Sequence, residues 1–510
     1  MRGLLVVAGR CAGRIEPRGL PPEFAPGLGV SDMVFSSVIF IFVYLPLFLA
    51  LYYACPARYR SYFILIGSYC FYAWWRVDLS LLMLATTAFN YCAALAVHGA
   101  RRPQRRKLFL VATVVGDLAL LFYFKYFNFF ADSSAYLFNQ GEPYSWSLPH
   151  VILPIGISFY IFHNISYVVD VYRRDLEPSR TFVDYAAFIA FFPHQIAGPV
   201  LRFSDLAEQF YGREHNWTKF NYGAMRFLTG LAKKVLIADS IAPVADAAFS
   251  IPNPTMAESW LGAIAYTLQL YFDFSGYSSM AIGLGMMVGF HFIENFDAPY
   301  RSVNITDFWR RWHISLSNWL RDYLYIPLGG NRKGVGRTYF NLAATMVLGG
   351  LWHGANTTFL VWGAWHGFWL AVERYFNVSA NAPFRISSWL FTMLLVVIGW
   401  VFFRAANMTE AMSMLAGMVG LNGFGLRSDY AWEFPNFGFL LMVVGVLTAL
   451  GEPQLRRFFG LKTTKELVYV GVIDYPHVNP VLGVTATVLG LAAIVKLVAD
   501  SDTPFLYFQF

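Results

Sequence analysis

The segment that decides the fold is "MVLGGLWHGANTTFLVWGAWHGFWL", which runs from Met346 to Leu370. It is apolar enough to lie in a bilayer, yet it contains Trp-His-Gly twice, with imidazoles at His353 and His366. Ionisable groups are costly at membrane depth and usually mark functional sites there. The segment therefore predicts membrane helices and raises the question of which histidine acts.

The rest of the chain has the same apolar character. Of its 510 residues, 57% are hydrophobic, 18% aromatic and 14% charged, a balance that soluble globular domains do not show. Apolar runs long enough for a bilayer core recur from Met33 onward, and we count about 11 to 13 of them, including short or re-entrant pieces. These observations predict an all-α, polytopic membrane protein with almost no room for a separate soluble domain.

The net charge of +7 does not indicate nucleic-acid binding, because Lys and Arg are concentrated in short connectors such as "RRPQRRK" (Arg101 to Lys107). Such connectors are typical of cytoplasmic loops. Residues 131–150, which contain no Lys or Arg, are then outside, and the first span, near Met33, begins outside. The four cysteines form no Cys-x-x-Cys pair, so neither a disulfide framework nor a zinc site is indicated.

Residues 1–32 do not fit this orientation. Their four arginines would lie on the outer side, and the apolar stretch "GLLVVAG" is too short for a signal-peptide core. We interpret Met33 as the start of the native chain, residues 1–32 as a non-native or disordered extension, and residues 33–510 as one membrane domain.

A second informative stretch is "DFWRRWHISLSNWLRDYLYIPLGG", from Asp307 to Gly330. Four aromatic residues and Leu316 recur in it at steps of three and four, which predicts one amphipathic helix. A different face of that helix would carry four polar side chains, which are Arg310, His313, Ser317 and Arg321. Two interpretations remain open: a helix lying in the membrane interface, and a cavity wall that contacts an anionic ligand. The following turn contains Arg332 and Lys333, which extends the cationic candidates.

Two further apolar runs contain unusual residues. Asp273 and Tyr277 lie one helical turn apart, where they either serve function or form a hydrogen bond between helices. The run "FFPHQIAGPVLR", from Phe191 to Arg202, is interrupted by two prolines and a glycine. Irregular backbone at membrane depth is tolerated only where protein or a wet cavity covers it.

The two histidines of the first segment have different surroundings. His353 is flanked by glycines and by Asn356, which predict a helix break and a cavity, whereas His366 lies in a regular run. On a continuous helix, 13 positions would rotate the chain by about 220° and place the imidazoles on nearly opposite sides. We therefore expect a functional His353 and a structural His366.

These residues resemble those of the membrane-bound O-acyltransferase family, and within it the bacterial branch that acetylates alginate, with relatives that acetylate cellulose or peptidoglycan or transfer D-alanine. The resemblance covers nearly all of residues 33–510. It is carried by "MVFSS" at Met33, "LPIGISFYIFHNISYVVDVYR" at Leu153, "FFPHQIAGPVLR" at Phe191, "YFDFSGYSSMAIG" at Tyr271, "NFDAPYRSVNITDFWRRWHISLSNWLRDYLYIPLGGNRKG" at Asn295, "LGGLWHGANTTFLVWGAWHG" at Leu348, and the ending "PFLYFQF".

The resemblance implies helices around a central funnel, with His353 deep inside as the catalytic histidine and His313 as the second signature histidine. His194 departs from the expected pattern and is assigned no role. The implied reaction moves an acyl group, most simply acetyl from acetyl-CoA, from a cytoplasmic thioester to an extracytoplasmic polysaccharide such as alginate. No metal or tightly bound cofactor is implied, and the family pattern adds a periplasmic acetyltransferase partner of the SGNH-hydrolase type at a bacterial inner membrane.

An imidazole suits removal of the hydroxyl proton, so His353 is the expected base. His313 would orient the donor or steady charge on the carbonyl oxygen. The candidates for substrate contacts, the carrier's phosphates included, are Arg310, Ser317, Arg321, Arg332, Lys333, Asp273, Tyr277 and Asn356. Alternatives are a D-alanyl transferase, a proton-coupled transporter and a membrane sensor; two matching halves, which many transporters have, are not evident.

Overall fold

The computed structural model describes residues 33–138, 151–196, 198–428, 436–463, 468–469, 472–473 and 479–499. The regular elements of these residues are helices, apart from a short antiparallel pair formed by β1 (Val468–Tyr469) and β2 (Val472–Ile473). The predicted all-α membrane fold is confirmed. The predictions for residues 1–32, for most of 131–150 and for the C-terminal ending lie outside the described residues.

The N-terminal half of the chain forms ten α-helices among the described residues. A π-helical turn (Phe40–Tyr44) leads into the first of them, and a second π turn (Lys233–Ala238) joins the last two. They are α1 (Leu45–Ala54), α2 (Arg60–Ala73), α3 (Val77–Gly99), α4 (Pro103–Phe138), α5 (Ile157–Arg173), α6 (Phe182–Ala190), α7 (Phe192–Gln195), α8 (Phe203–Tyr211), α9 (Trp217–Ala232) and α10 (Asp239–Ser250).

The C-terminal half begins with the longest buried helix and continues with short helices around the histidines. A π turn (Arg321–Tyr325) follows the second of two short helices. The helices are α11 (Met256–Met287), α12 (Ile305–Arg311), α13 (Ile314–Leu320), α14 (Val335–His353), α15 (Thr357–Tyr375), α16 (Ile386–Arg404), α17 (Met408–Met418), α18 (Asn436–Phe459) and α19 (Pro480–Ala499).

Five helices in the described part of the chain have the length and apolar composition of membrane spans, which are Val77–Gly99, Pro103–Ala131, Ile386–Arg404, Gly438–Phe459 and Pro480–Ala499. Helices such as α11 and α14 are long enough but carry buried polar side chains. The total of eleven to thirteen spans stays a prediction.

Basic connectors share one face of the molecule. Arg106, near the start of α4, donates from Nη2 to the carbonyl oxygen of Tyr172 at 2.8 Å, near the end of α5. The next residue, Arg173, donates to the carbonyl oxygen of Asp322 at 2.9 Å. Residues 101–107, 172–180 and 321–337 therefore lie together, and we call this side the basic face.

The centre of the fold is α11, which packs against α9 through glycines. A Cβ atom on Gly230 would lie 2.6 Å from the carbonyl oxygen of Gly276, and one on Gly283 would lie 2.5 Å from that of Gly223. Only glycine permits such a close approach of two helix backbones. Beyond these glycines, Lys234 of the π turn reaches Asp273 of α11 at 3.0 Å.

Candidate active site

The predicted break at His353 is present. Helix α14 ends at His353, Gly354 is extended, and a new helix begins at Thr357. Asn356 caps α15, because its Oδ1 accepts a hydrogen bond from the backbone N–H of Thr358 at 3.2 Å. His353 and His366 thus belong to two different helices, and the rotation expected for a continuous helix does not apply.

His353 lies in an aromatic pocket and is only 5% exposed. Its ring makes edge-to-face contacts with Trp362 of α15, at a centroid distance of 5.2 Å, and with Phe403 of α16, at 5.1 Å. Aromatic packing of this kind restricts the ring to few orientations. The pocket therefore holds the imidazole in a defined direction.

Trp352 connects the two signature histidines. Its ring centroid lies 4.9 Å from that of His353 and 6.3 Å from that of His313. On another side it stacks on Phe162 of α5 at 5.3 Å. The tertiary structure thus brings together the two signature histidines of the resemblance.

The prediction of one amphipathic helix over Asp307 to Gly330 is wrong. The chain breaks at His313, whose φ of +44° lies in the left-handed region, and this break separates α12 from α13. The backbone groups at the break pair with an extended segment instead, since Ile314 N–H donates to the carbonyl oxygen of Asn295 at 3.0 Å. Helical periodicity continues through the break, so it could not reveal these non-local bonds.

The two short helices form a helical hairpin. At the start of α12, the backbone N–H of Thr306 donates to the carboxylate of Glu373, near the end of α15, at 2.8 Å. After α13, the π turn contacts Arg173 at the basic face. His313 lies at the buried tip, with 1% of its surface exposed. This burial argues against a helix lying in the membrane interface, and the cavity wall stays a prediction.

Hydrogen bonds define the tautomer of His313. Oδ1 of Asn295 lies 3.3 Å from the backbone N–H of Ser315. A backbone N–H is always a donor, so this atom of Asn295 is the amide oxygen, which accepts. Nδ1 of His313, at 3.1 Å from the same oxygen, must therefore donate. In a neutral imidazole the other nitrogen, Nε2, is then an acceptor. It is buried and has no hydrogen-bond partner among the described residues.

An open cleft of about 610 Å³ lies beside the start of the hairpin. It is lined by two cationic and two phenolic side chains, Arg310, Arg374, Tyr339 and Tyr375, among other residues. The other predicted cations do not line it: Arg321 pairs with Asp322 at 2.6 Å, and Arg332 and Lys333 are exposed on the following turn. The single cationic face predicted from helical spacing is therefore divided.

The remaining candidates have local partners. Asp273 forms an ion pair with Lys234, Tyr277 stacks on Phe35 at 4.6 Å, and the hydroxyl of Ser317 donates to the carbonyl oxygen of Trp312 at 3.3 Å. These contacts supply a structural role for each, and their substrate-binding role stays a prediction. The described residues contain no group of three His, Cys, Asp or Glu side chains placed to hold a metal ion.

His366 takes the interhelical position expected of a structural group. It is fully buried, and its Nδ1 accepts a hydrogen bond from the indole N–H of Trp309 at 3.3 Å. The irregular run around Pro193 is likewise buried under protein, as expected, and places His194 at a ring distance of 4.8 Å from His163.

Sequence reasoning missed two residues that hold the histidines. Asn295 orients His313, and Lys125 of α4 donates to the carbonyl oxygens of Trp352 and His353. Lys125 is a lysine within the apolar run "LLFYFKYFNFF", so the sequence around it offered a signal. Asn295 offered none, because an asparagine after a helix is commonplace.

The sequence that carries this arrangement is similar to those of known proteins. The sequence model of MBOAT, the membrane-bound O-acyltransferase family, matches residues 174–415, which include both histidines. The chain belongs to this family, and it is a multi-pass membrane O-acyltransferase.

Individual relatives extend the match over almost the whole chain. The chain is 51% identical to the probable alginate O-acetylase AlgI of Pseudomonas putida, over 94% of this chain and 100% of that protein. It is 35% identical to the peptidoglycan O-acetyltransferase of Helicobacter pylori, over 95% and 98%. It is 28% identical to the teichoic acid D-alanyltransferase of Bacillus subtilis, over 45% and 61%.

Proposed function

We propose that this O-acyltransferase takes an acetyl group from a cytoplasmic thioester, acetyl-CoA, and transfers it toward an extracytoplasmic hydroxyl for the O-acetylation of a polysaccharide such as alginate. The observation that carries this proposal is the placement of His313 and His353 on either side of Trp352. The hairpin that bears His313 enters from the basic face, whereas α14 carries His353 away from it.

The length of α14 fits transfer across a membrane. Helix α14 has 19 residues from its start at the basic face to His353. At 1.5 Å per residue it spans about 28 Å, close to the thickness of a bilayer core. By the positive-inside rule the basic face is cytoplasmic. A donor entering from the cytoplasm then meets the hairpin tip, and an acceptor from the other side meets His353.

In the proposed reaction, the acceptor oxygen attacks the carbonyl carbon of the thioester while His353 removes the hydroxyl proton. The tetrahedral intermediate collapses, the carbon–sulfur bond breaks, and the imidazolium returns the proton to the departing thiolate. His313 holds its donor N–H against Asn295, so its free Nε2 accepts a hydrogen bond. This tautomer favours orientation of a substrate N–H or O–H over stabilisation of negative charge.

The cleft beside Arg310 fits the phosphorylated part of the donor. Arg310 and Arg374 line the same open space at the basic face, and guanidinium groups bind phosphate with two parallel hydrogen bonds. Thr306 and the two tyrosines add hydroxyls. Coenzyme A would bind there as a substrate that leaves after each turnover rather than as a resident cofactor.

The names of the relatives support acetyl over D-alanyl transfer and alginate over peptidoglycan. Identity is 51% to the alginate O-acetylase, 35% to the peptidoglycan O-acetyltransferase and 28% to the D-alanyltransferase. We place the protein in a bacterial inner membrane, with residue 33 on the outer side. A periplasmic acetyltransferase of the SGNH-hydrolase type would complete transfer to the polymer.

The experiment is thioester cleavage by the purified protein in liposomes. Radiolabelled acetyl-CoA is supplied together with short alginate oligomers and the periplasmic partner, and free thiol and labelled oligomer are both measured. Cleavage that depends on acceptor and disappears in His353→Ala supports the proposal. Persistent absence of cleavage with every component present contradicts it, and label transfer from D-alanyl carrier alone would identify the D-alanyl alternative.

A further inference from the structure

We infer that Lys125 is a positioning residue that fixes the end of α14 and thereby the direction of the His353 imidazole. This inference rests on the proposed function, in which His353 is the base. Lys125 lies on α4, a helix that contributes no side chain to the proposed chemistry.

The contacts of Lys125 converge on the last turn of α14. Its Nζ donates to the carbonyl oxygens of Trp352 and of His353, the latter at 3.1 Å, and lies 3.4 Å from Oγ of Ser158. The adjacent Tyr126 donates its hydroxyl to the carbonyl oxygen of Leu351 at 2.7 Å. Two neighbouring residues of α4 thus bind three successive carbonyls that end at the catalytic histidine.

These carbonyls need an external partner. The last carbonyls of a helix have no N–H partner within the helix, and many helices satisfy them with a left-handed glycine that turns the chain back. Gly354 is extended instead, with φ of −166°, so α14 does not close its own end. Lys125 therefore supplies the bonds that the local sequence does not.

The surroundings of Nζ favour a cation at this position. An ammonium has three N–H donors, and the three oxygens around Nζ are all able to accept. Positive charge is also favourable at the C-terminal end of a helix, where the carbonyl dipoles point. The ammonium lies 5.8 Å from the Trp352 ring, which adds a cation–π contact. A methionine would fill the same space but leave the carbonyls unpaired.

The chain offers a matched control on the same helix. Arg106 donates to the carbonyl oxygens of Val97 at 3.2 Å and of Tyr172 at 2.8 Å, at the basic face. It is a cation from α4 that binds helix-terminal carbonyls, as Lys125 is, but it contacts neither histidine. Arg106→Met therefore tests the loss of a similar clamp at a place remote from the chemistry.

The experiment compares Lys125→Met, Lys125→Arg and Arg106→Met in acetyl-CoA cleavage, with kcat expressed per folded molecule. We expect Lys125→Met to lower kcat by about 10²-fold, the effect of displacing a catalytic group by about 1 Å, with KM for acetyl-CoA unchanged. Lys125→Arg should recover part of this loss because it keeps a cationic donor. Arg106→Met should lower the melting temperature but keep kcat.

A second readout does not depend on turnover. The rate at which diethyl pyrocarbonate modifies His353, relative to His366, is followed by peptide mass spectrometry and should rise in Lys125→Met. A Lys125→Met protein with the kcat and modification ratio of the wild type would overturn the inference, and so would Lys125→Arg that is no better than Lys125→Met. An inactive wild type whose modification ratio still depends on Lys125 would instead count against the proposed function.

Discussion

Nδ1 of His313 lies 3.1 Å from Oδ1 of Asn295, a residue 18 positions earlier in the chain. The same oxygen accepts from the hydroxyl of Ser315 at 2.8 Å, and that hydroxyl accepts from the backbone N–H of Val200. One buried amide thus orients the histidine at the hairpin tip and joins three separate segments. The amide oxygen of Asn295 can only accept hydrogen bonds, so its contact with Nδ1 fixes the tautomer of His313.

Replacing Asn295 by Ala should both destabilise the protein and lower its activity. The change leaves the donors of His313 and Ser315 without their acceptor in a buried site, which costs about 1–3 kcal/mol. The imidazole is then free to change tautomer. Thermal unfolding in detergent and acetyl transfer at matched abundance measure the two effects. Thr392→Val, which removes a buried hydroxyl that donates to the carbonyl oxygen of Ser388 in its own helix, is the control and should change neither.

The two Trp-His-Gly motifs should respond differently to mutation. His353→Ala should fold and insert normally but lose at least the roughly 10²-fold acceleration that a positioned general base supplies. His366→Ala should keep most activity, with a modest loss of stability, since the indole N–H of Trp309 loses its acceptor. Transfer assays on both variants at equal membrane abundance provide the test. An active His353→Ala enzyme would show that the wrong histidine was chosen.

The basic face should bind the donor through Arg310 and Arg374 rather than through Arg321. Contacts to phosphate persist from ground state to transition state, so Arg310→Ala and Arg374→Ala should each raise KM for acetyl-CoA more than they lower kcat. Arg321→Ala should leave KM unchanged, because its guanidinium is exposed and already paired with Asp322. Initial rates over a range of acetyl-CoA concentrations distinguish the three. Equal KM effects in all three variants would contradict a specific cleft.

The buried Lys234 should matter more for folding than Asp273. Lys234 lies 2.6 Å from Asp239 and 3.0 Å from Asp273, so both carboxylates share one ammonium. Lys234→Met removes the shared cation and should cost about 3–5 kcal/mol, the cost of leaving buried charge uncompensated. Asp273→Asn keeps the pair with Asp239 and should be tolerated.

Size-exclusion chromatography of the solubilised protein measures the folded fraction of both variants. Loss of acetyl transfer in a well-folded Asp273→Asn protein would restore Asp273 as a substrate-binding candidate. A folded, active Lys234→Met protein would show that the two carboxylates do not depend on this cation.

The sequence by itself determined the membrane class, the helical fold and the helix break at His353. In a bilayer, an apolar run must satisfy its backbone N–H and C=O groups internally, so its composition indicates a helix. The break at His353 was equally local, because two glycines and a capping Asn356 act on the few residues around them. The family resemblance added His313, because its motif can be recognised from the sequence without knowing the fold.

Only the tertiary structure decided how these residues meet. The break at His313 depends on hydrogen bonds to Asn295, which no spacing within 307–330 encodes, and so the predicted single helix was wrong. The same break separates Arg310 from Arg321 and leaves Arg310 beside Arg374 in a different cleft. Lys125 reaches the end of α14 although it lies 228 positions before His353 in the chain. Periodicity describes one element at a time, whereas these contacts depend on the relative placement of several.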